Sequence, residues 1–150
     1  MRWLKLKESR VDFRWYSISE GELTNKFKKQ VKENGLEKEF IFLLIFTSPY
    51  PFIKQCDIYC QQSRFEGFGM AIAEAKILNK PSVVTNFDIA YEQIKHNKNG
   101  ILVNMNPKEI AIGIKKLINS ELKEKIVNNL KIEELGTELE IDKLYRLIEK

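Results

Sequence analysis

Apolar positions along this chain change rhythm repeatedly, and each change marks an element. Residues 11–19 (VDFRWYSIS) are aromatic and β-branched enough to form a strand, and Glu20-Gly21-Glu22 then turns the chain. Leu23, Phe27 and Val31 fall four apart within 23–34, giving a helix one apolar face, and Gly35 ends it. Residues 40–45 (FIFLLI) are an unbroken apolar run, the pattern of a strand covered on both faces. After Pro49-Tyr50-Pro51, a short helix through Phe52 and Ile53 leads to a third strand at 57–61. A glycine turn follows, then a helix whose Met70, Ala71, Ile72, Ala73, Ala75, Ile77 and Leu78 make it apolar nearly all round, as in a buried helix. Residues 81–85 and 101–103 read as short strands, with a weak helix at 90–95 between them. Helical periodicity returns over 107–118, 121–130 and 139–149.

Strand and helix therefore alternate throughout. That order predicts an α/β fold, a Rossmann-like parallel sheet with helices on both faces and a ligand crevice at the carboxyl ends of its strands. A length of 150 residues, 43% hydrophobic and 31% charged, fits a single domain with its own core. No repeat or low-complexity linker divides it. The longest apolar run, 40–46, is too short to span a bilayer, and Met1-Arg2-Trp3-Leu4-Lys5 lacks a signal-peptide core, so the expected compartment is the cytoplasm.

Charge and side-chain chemistry narrow the function. The formal charge of +4 is spread over many predicted helices rather than gathered in one block. That spread is a mild signal for phosphate ligands or peripheral contact with the inner face of a membrane and no nucleic-acid footprint, and the plainer reading is a solvated basic face. Cys56 and Cys60 lack a second Cys or His pair at metal-ligand spacing and read as reduced core thiols; no metal site is expected. The single histidine, His96, lies in the turn-like His96-Asn97-Lys98-Asn99-Gly100 and is assigned no chemistry.

The chemistry concentrates in Ser63-Arg64-Phe65-Glu66-Gly67-Phe68-Gly69-Met70-Ala71-Ile72-Ala73-Glu74-Ala75. A helix beginning near Gly69 leaves its first N–H groups without internal partners, and with the axial dipole they favour an anion such as a diphosphate. Gly67 and Gly69 present no Cβ, so a ligand can approach the backbone closely. Glu74 lies roughly 6–8 Å further along the helix axis, where a ribose hydroxyl pair could sit. Among so many apolar neighbours its carboxylate needs donors or a ligand. The plainer alternative makes Glu74 the partner of a lysine at the helix edge.

These residues, with others in order, resemble the donor-binding, C-terminal domain of retaining GT-B glycosyltransferases of family 4, the glycogen-synthase-like and cell-surface polysaccharide enzymes. The matching segment runs over 48–103. Glu66 and Glu74 match that family's E-x7-E motif, Ser63 the serine before it, and Asp57-Ile58-Tyr59 the preceding strand. Asn79-Lys80-Pro81-Ser82-Val83-Val84-Thr85 resembles its G-K-P-V-V-A-T strand, and Asn99-Gly100-Ile101-Leu102-Val103 its N-G-x-L-V. The resemblance implies a nucleotide-diphosphate sugar as donor, UDP- or GDP-linked, with no cofactor and no divalent metal, and a glycan or lipid-linked acceptor in polysaccharide biosynthesis. Backbone groups at Gly67, Phe68, Gly69, Met70 and Ala71 would face sugar and phosphates, and Glu74 would bind the ribose. Glu66 is the implied catalytic residue, either contacting sugar hydroxyls or stabilising charge at the anomeric carbon.

Departures from the family pattern shape three further expectations. Ser19-Glu20-Gly21 stands where the family has G-D/E-G, and Asp88 where a glycine-rich loop is common, although Glu92 fits the acidic residue after it. The family's first strand, its Arg/Lys phosphate loop and an N-terminal acceptor domain all precede the matching segment. Lys5 and Lys7 fall after that loop and take no phosphate role. The chain is thus expected to be a fragment of a hexosyltransferase, inactive alone, because transfer needs an acceptor held against the donor. With the first strand missing, strands 11–19 and 57–61 are expected to pair directly in the order 2-1-3-4-5, or to admit a strand from another chain. Alternative readings are a fragment of a GT-B nucleotide-sugar epimerase and a non-catalytic flavodoxin-like nucleotide-binding or regulatory module. A receiver-type module would need an acidic cluster after the first strand, and a dinucleotide domain a G-x-G-x-x-G, and neither is present.

Overall fold

A computed structural model describes residues 12–18, 21, 23–43, 49–118 and 120–133. Eleven elements alternate along them: β1 Trp15–Ile18, α1 Thr24–Glu33, β2 Phe40–Leu43, α2 Tyr50–Gln55, β3 Tyr59–Gln61, α3 Met70–Ile77, β4 Ser82–Thr85, α4 Asp88–Gln93, β5 Ile101–Val103, α5 Pro107–Leu117 and α6 Glu121–Ile132. The first and third strands are shorter than their sequence patterns, and the helix expected at 90–95 starts two residues earlier. Residues 44–48, Lys5, Lys7, Val11, Ser19, Glu20 and the helix expected at 139–149 lie outside the described residues.

All pairing is parallel, β1 with β2 and β3-β4-β5 in that order. Successive side chains of β4 point to opposite faces, so Val83 and Val84 enter different cores. Val83 joins Ile101, Ile110, Leu117, Ile126 and Leu130 beneath α5 and α6. Val84 joins Ile72, Phe87, Ala90 and Ile94 beneath α3 and α4. Helices thus cover both faces, as the alternation predicts. Gly113 lets α5 lie close on the sheet: a Cβ there would stand 2.9 Å from Val103 Cγ1 and 3.0 Å from Val83 Cγ1. Both covering helices start on side-chain caps, Asn106 accepting from the Glu109 N–H and Ser120 from the Lys123 N–H.

Direct pairing of the two outer strands does not occur among the described residues. β1 bonds to β2 and β3 to β4, leaving two parallel sheets rather than one closed sheet of order 2-1-3-4-5. A cavity of about 770 Å³ lies between them, lined by residues including Trp15, Tyr16, Phe52, Ile58, Tyr59 and Glu74. Side chains make the joint instead. Phe13 and Trp15 pack against the core beneath α5 and α6, while Trp15 also covers the small cluster of Val31, Leu36 and Phe40.

Candidate functional site

Strand β3 ends at Gln61, where a chain of polar side chains takes over from the sheet. The Tyr59 hydroxyl donates to Gln61 Oε1, and Gln61 Nε2 donates to Glu66 Oε1 at 2.6 Å and to Ser63 Oγ at 2.9 Å. Ser63 Oγ itself donates to the same Glu66 oxygen. Burial pushes the Tyr59 phenol well above its ordinary range, so it remains a donor. Thr85, buried at the end of β4, donates to the Ser63 carbonyl at 2.6 Å and ties the turn to the sheet. The Glu66 carboxylate is therefore fixed through Oε1, while Oε2 has no partner among the described residues.

The turn then passes Gly69, which is buried with φ +62°, a left-handed conformation that glycine adopts without strain. A Cβ there would meet Gln93 Nε2 at 2.6 Å and Ile89 Cγ2 at 3.0 Å. Helix α3 begins immediately after, with no side-chain cap. Its Met70 and Ala71 N–H groups, and that of Gly69, have no acceptor among the described residues, leaving an anion-receptive terminus. Gly67, Phe68 and Met70 are exposed beside it, and Ala71 is half-buried.

Glu74 departs from its expected setting. Its helix is not covered all round, since Met70 and Ile77 are 65% and 55% exposed. Glu74 is half-buried on the cavity wall, and its Oε1 accepts from the Tyr50 hydroxyl at 3.1 Å. That hydrogen bond is the main cause raising the Tyr50 pKa, so Tyr50 holds its proton and stays a donor. The buried charge of α3 is Lys76, 6% exposed, whose Nζ donates to the Gln93 carbonyl and pairs with Glu133, each at 3.0 Å.

Other sequence-flagged groups make no hydrogen bond to Glu66 or Glu74 among the described residues, although Cys56 and Cys60 line the same cavity as Glu74. Cys56 and Cys60 are half-buried, Cys60 packing against the core beneath α5 and α6, and burial pushes the Cys56 thiol up. His96 accepts from the Leu102 N–H through Nδ1, and Asp88 and Glu92 are exposed. No group of three His, Cys, Asp or Glu able to hold a metal ion occurs among the described residues, nor does a helix long and apolar enough to cross a membrane. Sequence reasoning missed Tyr50, Gln61 and Gln93. Gln61 had a local signal, a polar side chain at a strand end close to Ser63 and Glu66; Tyr50 and Gln93 reach the site from 24 residues away.

Comparison with known proteins bears on the fold and the family. The family of glycosyl transferases group 1 matches residues 4–132. A poly(ribitol-phosphate) alpha-N-acetylglucosaminyltransferase of Staphylococcus aureus (strain COL) is 31% identical over 120 residues, covering 77% of this chain and 24% of that enzyme. Staphylococcus aureus TarM, solved as a mutant with fondaparinux, alpha-GlcNAc-glycerol and UDP, superposes with a TM-score of 0.77 at 28% identity, over 98% of this chain and 31% of TarM. Anabaena HepE in complex with UDP gives a TM-score of 0.65 at 27% identity, over 71% of this chain and 30% of HepE. The chain spans about a quarter of its curated relative and under a third of these solved chains. The fold matches the Rossmann-like C-terminal domain of GT-B enzymes, and the flavodoxin-like alternative is not favoured. The chain belongs to the glycosyl transferases group 1 family.

Proposed function

We propose that this chain is the donor-binding domain of a retaining, family 4 hexosyltransferase that takes a nucleotide-diphosphate sugar and serves polysaccharide biosynthesis in the cytoplasm, at the inner face of the membrane. The observation that carries the reading is the uncapped start of α3 between two carboxylates, each with one oxygen engaged and the other without a partner among the described residues. The diphosphate lies at the Gly69, Met70 and Ala71 N–H groups, stabilised by hydrogen bonds and by the helix dipole. Glu74, oriented by Tyr50, accepts from ribose hydroxyls at the cavity wall. Glu66, steadied by Gln61 and Ser63, turns Oε2 toward the sugar, where it binds hydroxyls or stabilises positive charge at the anomeric carbon.

UDP is the favoured carrier, because the solved TarM and HepE chains were each crystallised with it. No residue assigned here calls for a cofactor or a divalent metal. A glycan or lipid-linked acceptor is assigned to polypeptide outside this chain. Titration calorimetry with UDP tests the reading. Binding is expected, and Glu74→Ala should weaken it about tenfold or more, the loss expected when hydrogen bonds to a charged acceptor disappear. Equal affinity in a folded Glu74→Ala variant would remove the ribose role.

A further inference from the structure

Gln93 touches the glycine turn from the far side. Its Nε2 donates to the Phe68 carbonyl at 2.8 Å and to the Gly69 carbonyl at 3.3 Å. The same residue is gripped through its own carbonyl, which accepts from Lys76 Nζ at 3.0 Å and Asn99 Nδ2 at 3.2 Å. Lys76 and Asn99 both bond to Glu133, just beyond α6. One residue thus braces α3 at both ends, its side chain at the start and its main chain at the last turn.

The geometry has a direct consequence for the donor site. In a trans peptide the C=O and N–H point in opposite directions. Holding the Phe68 carbonyl on Gln93 therefore aims the Gly69 N–H away from α4, whereas the Gly69 carbonyl is already held by the helix, accepting from the Ile72 N–H at 2.9 Å and the Ala73 N–H at 3.2 Å. Gln93 Oε1 is buried and has no hydrogen-bond partner among the described residues. Rotating the amide to exchange its ends would set that oxygen against two carbonyls. A side chain that leaves a buried acceptor unsatisfied is committed to what its other end holds.

We propose that Gln93 is a positioning residue of the donor site, locking the Phe68–Gly69 peptide plane so that the Gly69 N–H joins the first N–H groups of α3 in a preformed cradle for the diphosphate. The proposal rests on the reading of α3 as the diphosphate site. Gln93→Met removes the donor and leaves the Phe68 carbonyl unbonded without adding a charge that would itself repel a diphosphate. Binding of UDP and of uridine, which has the ribose and base but no phosphate, is measured by calorimetry beside thermal unfolding. The expected result is UDP affinity lowered about tenfold or more, the range set by loss of one or two hydrogen bonds, with uridine affinity within a factor of two of wild type. A parallel loss of both ligands would mark a merely structural residue and overturn the proposal, as would unchanged UDP affinity. Should Gln93→Met fail to fold, Gln93→Leu, which likewise leaves the carbonyl unbonded without adding charge, is judged by the same split. Failure of the wild-type chain to bind UDP overturns the reading of α3, and this proposal with it.

Discussion

β4 is buried at every residue, whereas β1 and β2 between them bury only Phe40. The helices differ in the same way. α5 and α6 start on capping side chains, while α1 starts at Leu23 with no side-chain cap and shows Leu23 and Phe27 to solvent. One half of the molecule is a double-sided core; the other is a thin sheet joined to it through Phe13 and Trp15. The contrast explains how the site is built. Glu66 and Gly69 hang from the dense half, through Thr85 of β4 and Gln93 of α4. Glu74, bonded to Tyr50, faces the cavity at the joint, where among the described residues no strand of one sheet pairs with a strand of the other. The diphosphate end of the site is therefore the preorganised end.

Leu117 and Leu36 offer the sharpest test of that contrast, because both are leucines with no exposed surface, one in each half. Leu117→Ala should destabilise the protein by about 4–5 kcal/mol, near the top of the range for buried leucines, because its crowded surroundings cannot collapse into the space. Leu36→Ala should cost about 3 kcal/mol or less, since a three-residue cluster near the surface relaxes more easily. Denaturant unfolding measures both, and an equal or larger loss for Leu36→Ala would break the comparison.

Polar contacts should divide the same way with smaller magnitudes. Asn106→Ala removes the cap of α5 and should cost about 1 kcal/mol. Thr24→Ala removes only the exposed bond that Thr24 Oγ1 accepts from the Gly21 N–H, and should shift stability by less than about 0.5 kcal/mol. Thermal or denaturant melts of the two variants would show it, and the reverse order would argue that the thin half matters more to stability than its packing suggests.

Much of this was readable from residue order. The Ser82-Val83-Val84-Thr85 run and Ile101-Leu102-Val103 became β4 and β5, because strands covered on both faces must be apolar throughout. The glycine turn was legible because only glycine suits the left-handed backbone at position 69. Glu74 was misread as buried because periodicity shows which residues share a face, not how much of the helix its neighbours cover; Lys76 took the buried position through Glu133, 57 residues away. The pairing of the sheets was misjudged for a related reason. Main-chain groups favour closure in any sequence, and only the three-dimensional placement of Phe13 and Trp15 shows side chains of the first strand region packing against the core of the second sheet.

The central claim, that the start of α3 receives the donor diphosphate, is tested most directly by titrating UDP into the 15N-labelled protein and following backbone amide resonances. The account predicts saturable shifts at Gly67, Phe68, Gly69, Met70, Ala71 and Glu74, while α1 and β2 stay unchanged. Shifts confined to residues away from the turn, or none at UDP concentrations that saturate the calorimetric signal, would contradict it.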